Sequence, residues 1–428
     1  MMKKVLVIGY FWPYRNGSGR MLGLAKYLSD LSWKPIILTA PLGKRSELPC
    51  EVIETYYPGD IFAKWRKIFG HLGFNTQGSV KEQIKEHLGL KSEKSFLDLL
   101  ITFYHEIFAY PDTEKAWKEP AIRAASRLFK NGKISAMISV WPITSHLIAK
   151  ALKQEYNTPW IADFPDPWSQ NHNYPYSKVR KYFDEQLELK TFSNVDAMTA
   201  AAPLYAKKQE HFHKRFVAVI TNGFEPEDLN RPRVSLTDKF TITYTGTIYI
   251  GKQDPEKVLI ALKNLISKNI MNADDVEIRF YGQRQIWLEN KIIEHHLVGV
   301  AKQFGLISRY ESLQRQRESH LLLLLNWEDP KEKGVYPLKS FEYLSARRPI
   351  LAAGGYPGDD IEKLLIQTKA GVYASTVEEI ETALLSVYKE YKHSGFISYQ
   401  GNLEEINKYS YREMAKKFAV LLNQITEK

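Results

Sequence analysis

At 428 residues, of which 44% are hydrophobic, the chain has material for two or three domains with cores of their own, which excludes a disordered protein. Its formal charge of +10 calls for an anionic partner: a sugar nucleotide, lipid headgroups or nucleic acid. Cys50 is the only cysteine, so an internal disulfide framework and a cysteine-based zinc site are excluded, which fits a reducing cytoplasm.

The opening MMKKVLVIGYFWPY starts basic and apolar like a signal peptide, but its apolar run is too short and it lacks a small-residue cleavage site, so it reads as a first strand. Strand (Lys4 to Gly9), glycine-containing loop (Arg15 to Gly19), amphipathic helix (Met21 to Leu31) and strand (Pro35 to Thr39) make a βαβ unit. A long basic stretch from about 57 to 131 reads as a helical insert. Within it IFAKWRKIFGHL (Ile61 to Leu72) puts Ile61, Trp65, Ile68, Phe69 and Leu72 on one helical face. That pattern fits a core-packed helix or one lying in a membrane interface. No stretch of about 18 apolar residues marks a membrane span, so any membrane contact is expected to be peripheral.

The alternation resumes with a strand at Ile134 to Val140, a helix at Thr144 to Gln154, a strand at Pro159 to Asp163 and a helix at Tyr176 to Phe192. Short strands at Ala197 to Thr199 and Val217 to Ile220 lead to TNGFEPEDLNRPR, whose Gly, Pro and charge content reads as a linker, with the domain boundary near Glu225. A second series follows: strand Phe240 to Gly246, helix Asp254 to Lys268, strand Val276 to Tyr281, helix Ile293 to Phe304, then the run LLLLLNWED (Leu321 to Asp329). That run reads as a parallel strand buried on both faces, and PILAAGG (Pro349 to Gly355) as another. A last helix, Ser410 to Ile425, carries Met414, Phe418, Leu421, Leu422 and Ile425 at helical spacing. The whole is α/β, two Rossmann-like domains facing a central cleft: 1–225 with the insert, 226–405, and a helix at 406–428.

The most informative stretch is GVYPLKSFEYLSARRP (334–349), between two buried strands. Pro337 fits the first turn of a helix, and Lys339 and Glu342 then share one face near its positive end. Lysine there neutralises a diphosphate, and glutamate accepts hydrogen bonds from two ribose hydroxyls; a solvated helix pair has the same spacing. Asp163 and Asp166 just past a strand fit a turn cap, or carboxylates that orient a hydroxyl or stabilise positive charge on a reacting sugar. Gly17, Gly19 and Arg20 follow the first strand, where a phosphate or a plain turn fits. His146 lies near a helix start after a strand end, where a lone histidine is more often structural than catalytic, and Tyr310, in SRYE (Ser308 to Glu311), offers a stacking surface in a loop, as ordinary surface tyrosines also do. No HExxH, EF-hand pattern or DxD pair in a glycine-rich loop occurs, so no metal is expected.

Taken in order, NGSGR (Asn16 to Arg20), PWIADFPDPW (Pro159 to Trp168), ITNGFE (Ile220 to Glu225), YTGT (Tyr244 to Thr247) and GVYPLKSFEYLSARRPILA resemble the GT-B glycosyltransferases, in particular the family-4-like group, over nearly the whole chain. The resemblance implies an acceptor-binding amino domain, a nucleotide-sugar-binding carboxyl domain and a last helix that crosses back to the amino domain. It implies that Glu342 binds ribose and that Lys339 contacts the diphosphate or sugar. Gly246 and Thr247 would form the glycine turn, Lys252 would pair the diphosphate, and Gly17, Gly19 and Arg20 would lie on the acceptor side, where the position of His146 makes it a further acceptor-binding candidate. Three positions depart from the family pattern. Thr247 stands where many members have arginine, so Arg284 is the candidate replacement; Gly334 stands where a first glutamate is usual; and Pro165 replaces the arginine of DFRDPW.

The expected activity is therefore metal-independent transfer of a sugar from a nucleoside diphosphate sugar, a co-substrate and not a cofactor, to a glycan or lipid-linked acceptor in surface polysaccharide assembly. Retention of configuration is inherited from the resemblance. Asp163, Asp166, Lys252 and Lys339 are the candidate catalytic residues, and Gly246, Thr247, Lys252, Arg284, Tyr310, Pro337, Lys339 and Glu342 the candidate donor-binding ones. The protein is expected in the cytoplasm or on the inner face of the membrane, without nucleic acid. A sugar-nucleotide epimerase of similar fold and a catalytically degenerate basic binding protein are the competing readings.

Overall fold

The structure is a computed structural model that describes residues 2–10, 19–41, 50–57, 106–132, 134–171, 174–232, 234–329 and 334–427. Gly17 and the segment Ile61 to Leu72 lie outside the described residues. The chain divides into two compact units, one formed by Met1–Ala201, Ala206–Ile220 and Ala415–Lys428, the other by Ala202–Tyr205 and Thr221–Met414.

In chain order the first unit runs β1 (Lys3–Ile8), α1 (Gly19–Tyr27), β2 (Trp33–Thr39), β3 (Glu51–Glu54), α2 (Lys118–Asn131), β4 (Ala136–Ser139), α3 (Ile143–Tyr156) and β5 (Trp160–Phe164). It continues with α4 (Lys178–Phe192), β6 (Ala197–Ala200), α5 (Pro203–His213, in this unit from Ala206 onward) and β7 (Val217–Val219). The seven strands form one parallel sheet in the order β3-β2-β1-β4-β5-β6-β7. The direction of winding reverses between β1 and β4, and the carboxyl ends of strands at such a switch point are where open α/β sheets bind ligands.

The second unit begins with α6 (Pro226–Leu229) and continues β8 (Phe240–Thr245), α7 (Glu256–Ser267), β9 (Val276–Tyr281), α8 (Ile286–Glu294), β10 (Ala301–Gly305) and α9 (Arg309–Arg317). Then come β11 (Leu321–Leu325), α10 (Leu338–Ala346), β12 (Ile350–Ala353), α11 (Asp360–Thr368), β13 (Gly371–Ala374), α12 (Val377–Ser394) and α13 (Leu403–Asn407). Its six strands are parallel in the order β10-β9-β8-β11-β12-β13, with the switch between β8 and β11. The final helix, α14 (Tyr411–Thr426), belongs from Ala415 onward to the first unit, where Trp33 Nε1 donates to Asn423 Oδ1 at 3.1 Å. Met414, Phe418, Leu422 and Ile425 are buried.

The leucine run shows why parallel strands lack alternation. Leu321, Leu323 and Leu325 pack with Phe240 and Ile278 on one face of the sheet, while Leu322 and Leu324 pack with Phe341 and Leu344 on the other. Successive side chains point to opposite faces, and both faces here are covered. Truncating Leu323, which is fully buried, is expected to destabilise the second unit by about 2–5 kcal/mol. A lower urea midpoint for Leu323→Ala checks this.

Three expected elements differ from those observed. The helix placed at Ile293 to Phe304 is the end of α8 followed by the edge strand β10: His296 has φ 57 and Gly299 φ 93, which turns the chain out of the helix. Ser308 to Glu311 opens a helix instead of lying in a loop, with the Ser308 hydroxyl accepting from the Glu311 N–H at 3.2 Å. The expected linker after Ile220 is built into the second core through Phe224 and Leu229, and Phe224 bridges to Ser410. Among the described residues no helix is long and apolar enough to cross a membrane.

Candidate functional site

In the second unit, β8 ends at Thr245 and the chain turns through Gly246, whose φ of 111° is one that side-chain-bearing residues rarely adopt. The Gly246 N–H donates to the Tyr281 carbonyl at 2.7 Å, and a Cβ on Gly282 would fall 2.3 Å from the Gly246 oxygen. Two glycines therefore let the ends of β8 and β9 approach. Lys339, in the first turn of α10, reaches this turn. Its Nζ donates to the Tyr244 hydroxyl and lies 3.8 Å from that ring's centroid, while the same hydroxyl donates to the Thr247 carbonyl at 2.7 Å. A Cβ on Gly246 would come within 3.1 Å of Nζ, so the glycine also leaves room for the ammonium. Desolvation pushes the lysine from 10.5 down to about 7, against the pull of Glu342.

Glu342 lies nearly one turn further along α10, with Oε1 3.5 Å from Arg309 Nη2 at the start of α9. Burial raises its carboxyl above the ordinary value, and Arg309, a hydrogen bond from Gln316 and Lys339 oppose the rise. Gln316 Nε2 also donates to Thr245 Oγ1 at 3.0 Å, and the Thr245 N–H donates to the Tyr343 hydroxyl at 3.0 Å. The helix that carries Lys339 and Glu342 is thereby tied to the end of β8. A cation, a partly buried carboxylate and a glycine turn meet at the switch point between β8 and β11. That arrangement can hold an anion beside a group with adjacent hydroxyls.

The other expected donor residues gather around the same strand ends. Thr247 is exposed in the turn, and Lys252 Nζ lies 5.5 Å from the Trp327 ring centroid in the loop before α7. Arg284 is exposed after β9, with Nε 3.8 Å from the position a Cβ on Gly305 would take. Pro337 is the cap of α10 and Leu338 its first helical residue, so the proline sits one position earlier than expected. Tyr310 is 72% exposed in the first turn of α9. Gly334, in place of the usual glutamate, has φ 92, and a Cβ there would meet Leu204 Cβ at 2.5 Å. The Leu204 side chain stands where a side chain at 334 would go. Sequence reasoning missed Tyr244, Arg309 and Gln316, which hold Lys339 and Glu342 from other elements.

In the first unit, Arg20, expected to bind an acceptor, and Asp163, expected in catalysis, bind each other. Arg20 Nε and Nη2 reach the two carboxylate oxygens of Asp163 at 2.6 Å each, and the side chains are 1% and 0% exposed. Thr199 Oγ1 donates to Asp163 Oδ1 at 2.5 Å, and the Arg20 guanidinium stacks 5.2 Å from the Phe418 ring centroid. The geometry makes the pair an internal brace between α1 and β5. His146 is equally enclosed at 1% exposure. Trp160 Nε1 donates to Ser139 Oγ at 2.7 Å, and Ser139 Oγ shares a hydrogen bond with His146 Nδ1, also at 2.7 Å. Burial against Phe164 and Phe192 pushes this imidazole down to about 3, a packed neutral ring with no face for an acceptor. Gly19 is the first residue of α1. Asp166, by contrast, keeps contact with solvent just past β5, although the protein crowding its carboxyl desolvates it enough to raise it. Trp141, 42% exposed just past β4, is an aromatic face at the switch point that the sequence reading passed over.

Among the described residues, Glu256, Glu294 and His295 come close enough to share an ion. Lys291 already occupies that place: its Nζ lies 2.7 Å from Glu256 and 3.2 Å from Glu294, and His295 Nε2 lies 3.2 Å from Glu256. The trio is an ion-pair network on the helical layer.

Two units, each a parallel sheet of seven or six strands wound both ways and layered by helices, make up the GT-B fold. No family model matches the chain, and neither does any curated protein. Solved structures do. Sucrose-phosphate synthase from Thermosynechococcus elongatus is similar over 99% of this chain and 99% of its own, at 13% identity and a TM-score of 0.59. The lipopolysaccharide outer core galactosyltransferase WaaB is similar over 98% and 99%, at 11% identity and 0.57. A putative UDP-N-acetylglucosamine 2-epimerase from Listeria monocytogenes is similar over 100% and 98%, at 11% identity and 0.51.

Proposed function

We propose that this chain is a glycosyltransferase that moves a sugar from a nucleoside diphosphate sugar to a glycan or lipid-linked acceptor. The observation that carries the reading is the meeting of Lys339, Glu342 and the Gly246 turn at the carboxyl ends of β8 and β11. Glu342 takes the ribose hydroxyls. Lys339, with Lys252 and Arg284 past the ends of the same sheet's strands, takes the diphosphate and stabilises it as it departs, a preorganised electrostatic role that needs no metal. Retention of configuration and a part in surface polysaccharide assembly belong to the same reading through the family resemblance. A further structural neighbour, a variant of TarM from S. aureus, was solved in complex with fondaparinux, α-GlcNAc-glycerol and UDP, which supports a nucleoside diphosphate ligand here.

On the acceptor side the reading rests on Asp166 and Trp141, both exposed at strand ends of the first unit. Arg20, Asp163 and His146 act behind them as structure. The absence of space at Gly334 favours a sugar end recognised differently from the usual pattern, and it is the observation that keeps the epimerase and the inactive binding protein in play. Calorimetric titration with UDP and GDP, without added metal, tests the proposal. Wild type is expected to bind one of them, and Glu342→Ala to weaken that binding about tenfold or more through two lost charge-assisted hydrogen bonds. No binding of either nucleotide by wild type would overturn the donor site. Turnover of the sugar nucleotide without acceptor would shift the assignment to an epimerase.

A further inference from the structure

The second unit carries a cavity of about 370 Å³ at the other edge of its sheet. Its lining comes from residues that precede strands: Leu236 before β8, Arg317 before β11, and Arg347 and Arg348 before β12. Gly246 and Lys339 lie past the strand ends instead, and strands of five or six residues separate the two edges by roughly 15–20 Å. This is a separate place on the domain.

Four arginines, Arg231, Arg317, Arg347 and Arg348, line the cavity, and Asp228 is the only carboxylate among its lining residues. Arg231 Nη2 pairs with Asp228 at 2.7 Å. Arg317 Nη2 donates to the Pro232 carbonyl, and Arg348 Nε donates to the Arg317 carbonyl at 2.7 Å. Backbone carbonyls fix these two guanidinium groups in place. Desolvation and the neighbouring Arg231 and Arg347 hold Arg317 below its ordinary value despite Asp228, a sign of uncompensated crowding. The hydroxyl of Tyr399, also in the lining, is buried with no hydrogen-bond partner, and Arg347 bears on it electrostatically. A buried donor without an acceptor among fixed cations is incomplete as it stands. Planar guanidinium forks and a phenol are the groups that recognise phosphate oxygens.

We infer that this cavity is a binding site for a phosphate-bearing small molecule, separate from the donor site, with Arg231 and Arg347 as anion ligands and the Tyr399 hydroxyl as donor. The inference stands whether or not the chain transfers sugars. Inorganic pyrophosphate titrated calorimetrically into the Lys339→Met protein, whose donor site is weakened by the loss of one of its three cations, is the test. Binding is expected there. Adding Arg347→Asn, whose residue tolerates the left-handed conformation at the end of α10 (φ 55), together with Arg231→Gln is expected to weaken it about tenfold or more. Tyr399→Phe, which removes one oxygen and keeps the ring, is expected to weaken it by a factor of about 3–10; it decides the matter if the arginine variant unfolds. No binding, or binding unchanged by these substitutions in folded protein, would overturn the inference. Sedimentation with phosphatidic acid vesicles distinguishes a free phosphate compound from a lipid headgroup. Arginine-dependent vesicle capture without pyrophosphate binding would overturn the small-molecule form.

Discussion

Lys339→Met is expected to lower sugar transfer by about 10²–10³-fold, the usual cost of removing one preorganised charge from a site where negative charge develops. The fold is expected to survive, because Tyr244 keeps its hydrogen bond to the Thr247 carbonyl when the lysine is gone. A sharper signature comes from protons. The lysine is pushed from 10.5 to about 7 in the folded chain, so at pH 8 it is mostly neutral, whereas a bound diphosphate favours its charged form. Nucleoside diphosphate binding at pH 8 should therefore take up a proton, and affinity should fall as pH rises above about 7. Calorimetry in buffers of different ionisation enthalpy reads that uptake directly, and Lys339→Met should abolish it. Equal heats in all buffers for wild type would sink the assignment of Lys339 to the diphosphate. Stability moves the opposite way. The unfolded chain binds more protons at this group between pH 7 and 10.5, so the lysine's unfavourable contribution is complete below pH 7 and is relieved as pH rises through that window.

Removing either member of the Arg20–Asp163 pair is expected to destabilise the first unit by about 3–5 kcal/mol, since the remaining charge stays buried without its partner. The double variant Arg20→Met/Asp163→Leu should be far less destabilised than the sum of the two single changes. Denaturant unfolding followed by tryptophan fluorescence is suited to the test, because Trp33, Trp117 and Trp160 are all fully buried in this unit. A stable Asp163→Ala that lost only activity would return the aspartate to a direct role in catalysis.

The readable parts of the fold are those where burial writes itself into composition. LLLLL can be little other than a strand covered on both faces, and the turn after Thr245 needs its glycine. Lys339 and Glu342 were legible because three residues along a helix put side chains on one face. Their partners were not: Tyr244 lies 95 residues from Lys339, and a pairing at that distance leaves no local pattern. Arg20 and Asp163 were legible as residue types at strand ends, yet their 143-residue separation concealed that each satisfies the other. The helix α9, RYESLQRQR, buries little beyond Leu313 and Gln316, so it shows no helical period in its apolar residues. The edge strand β10, AKQFG, is half polar for the same reason, one of its sides facing out.

The return of the last helix to the first unit sets an order of events at the ribosome. Lys3 donates to Thr426 at 3.3 Å across 423 positions of sequence, and Arg20 stacks on Phe418, so residues of β1 and α1 wait for partners made long after them. Every strand of the second unit is synthesised before that helix. The second unit can thus complete its sheet during translation, whereas the first must hold an unfinished surface near α1 until α14 emerges, a window in which apolar side chains there stay open to solvent.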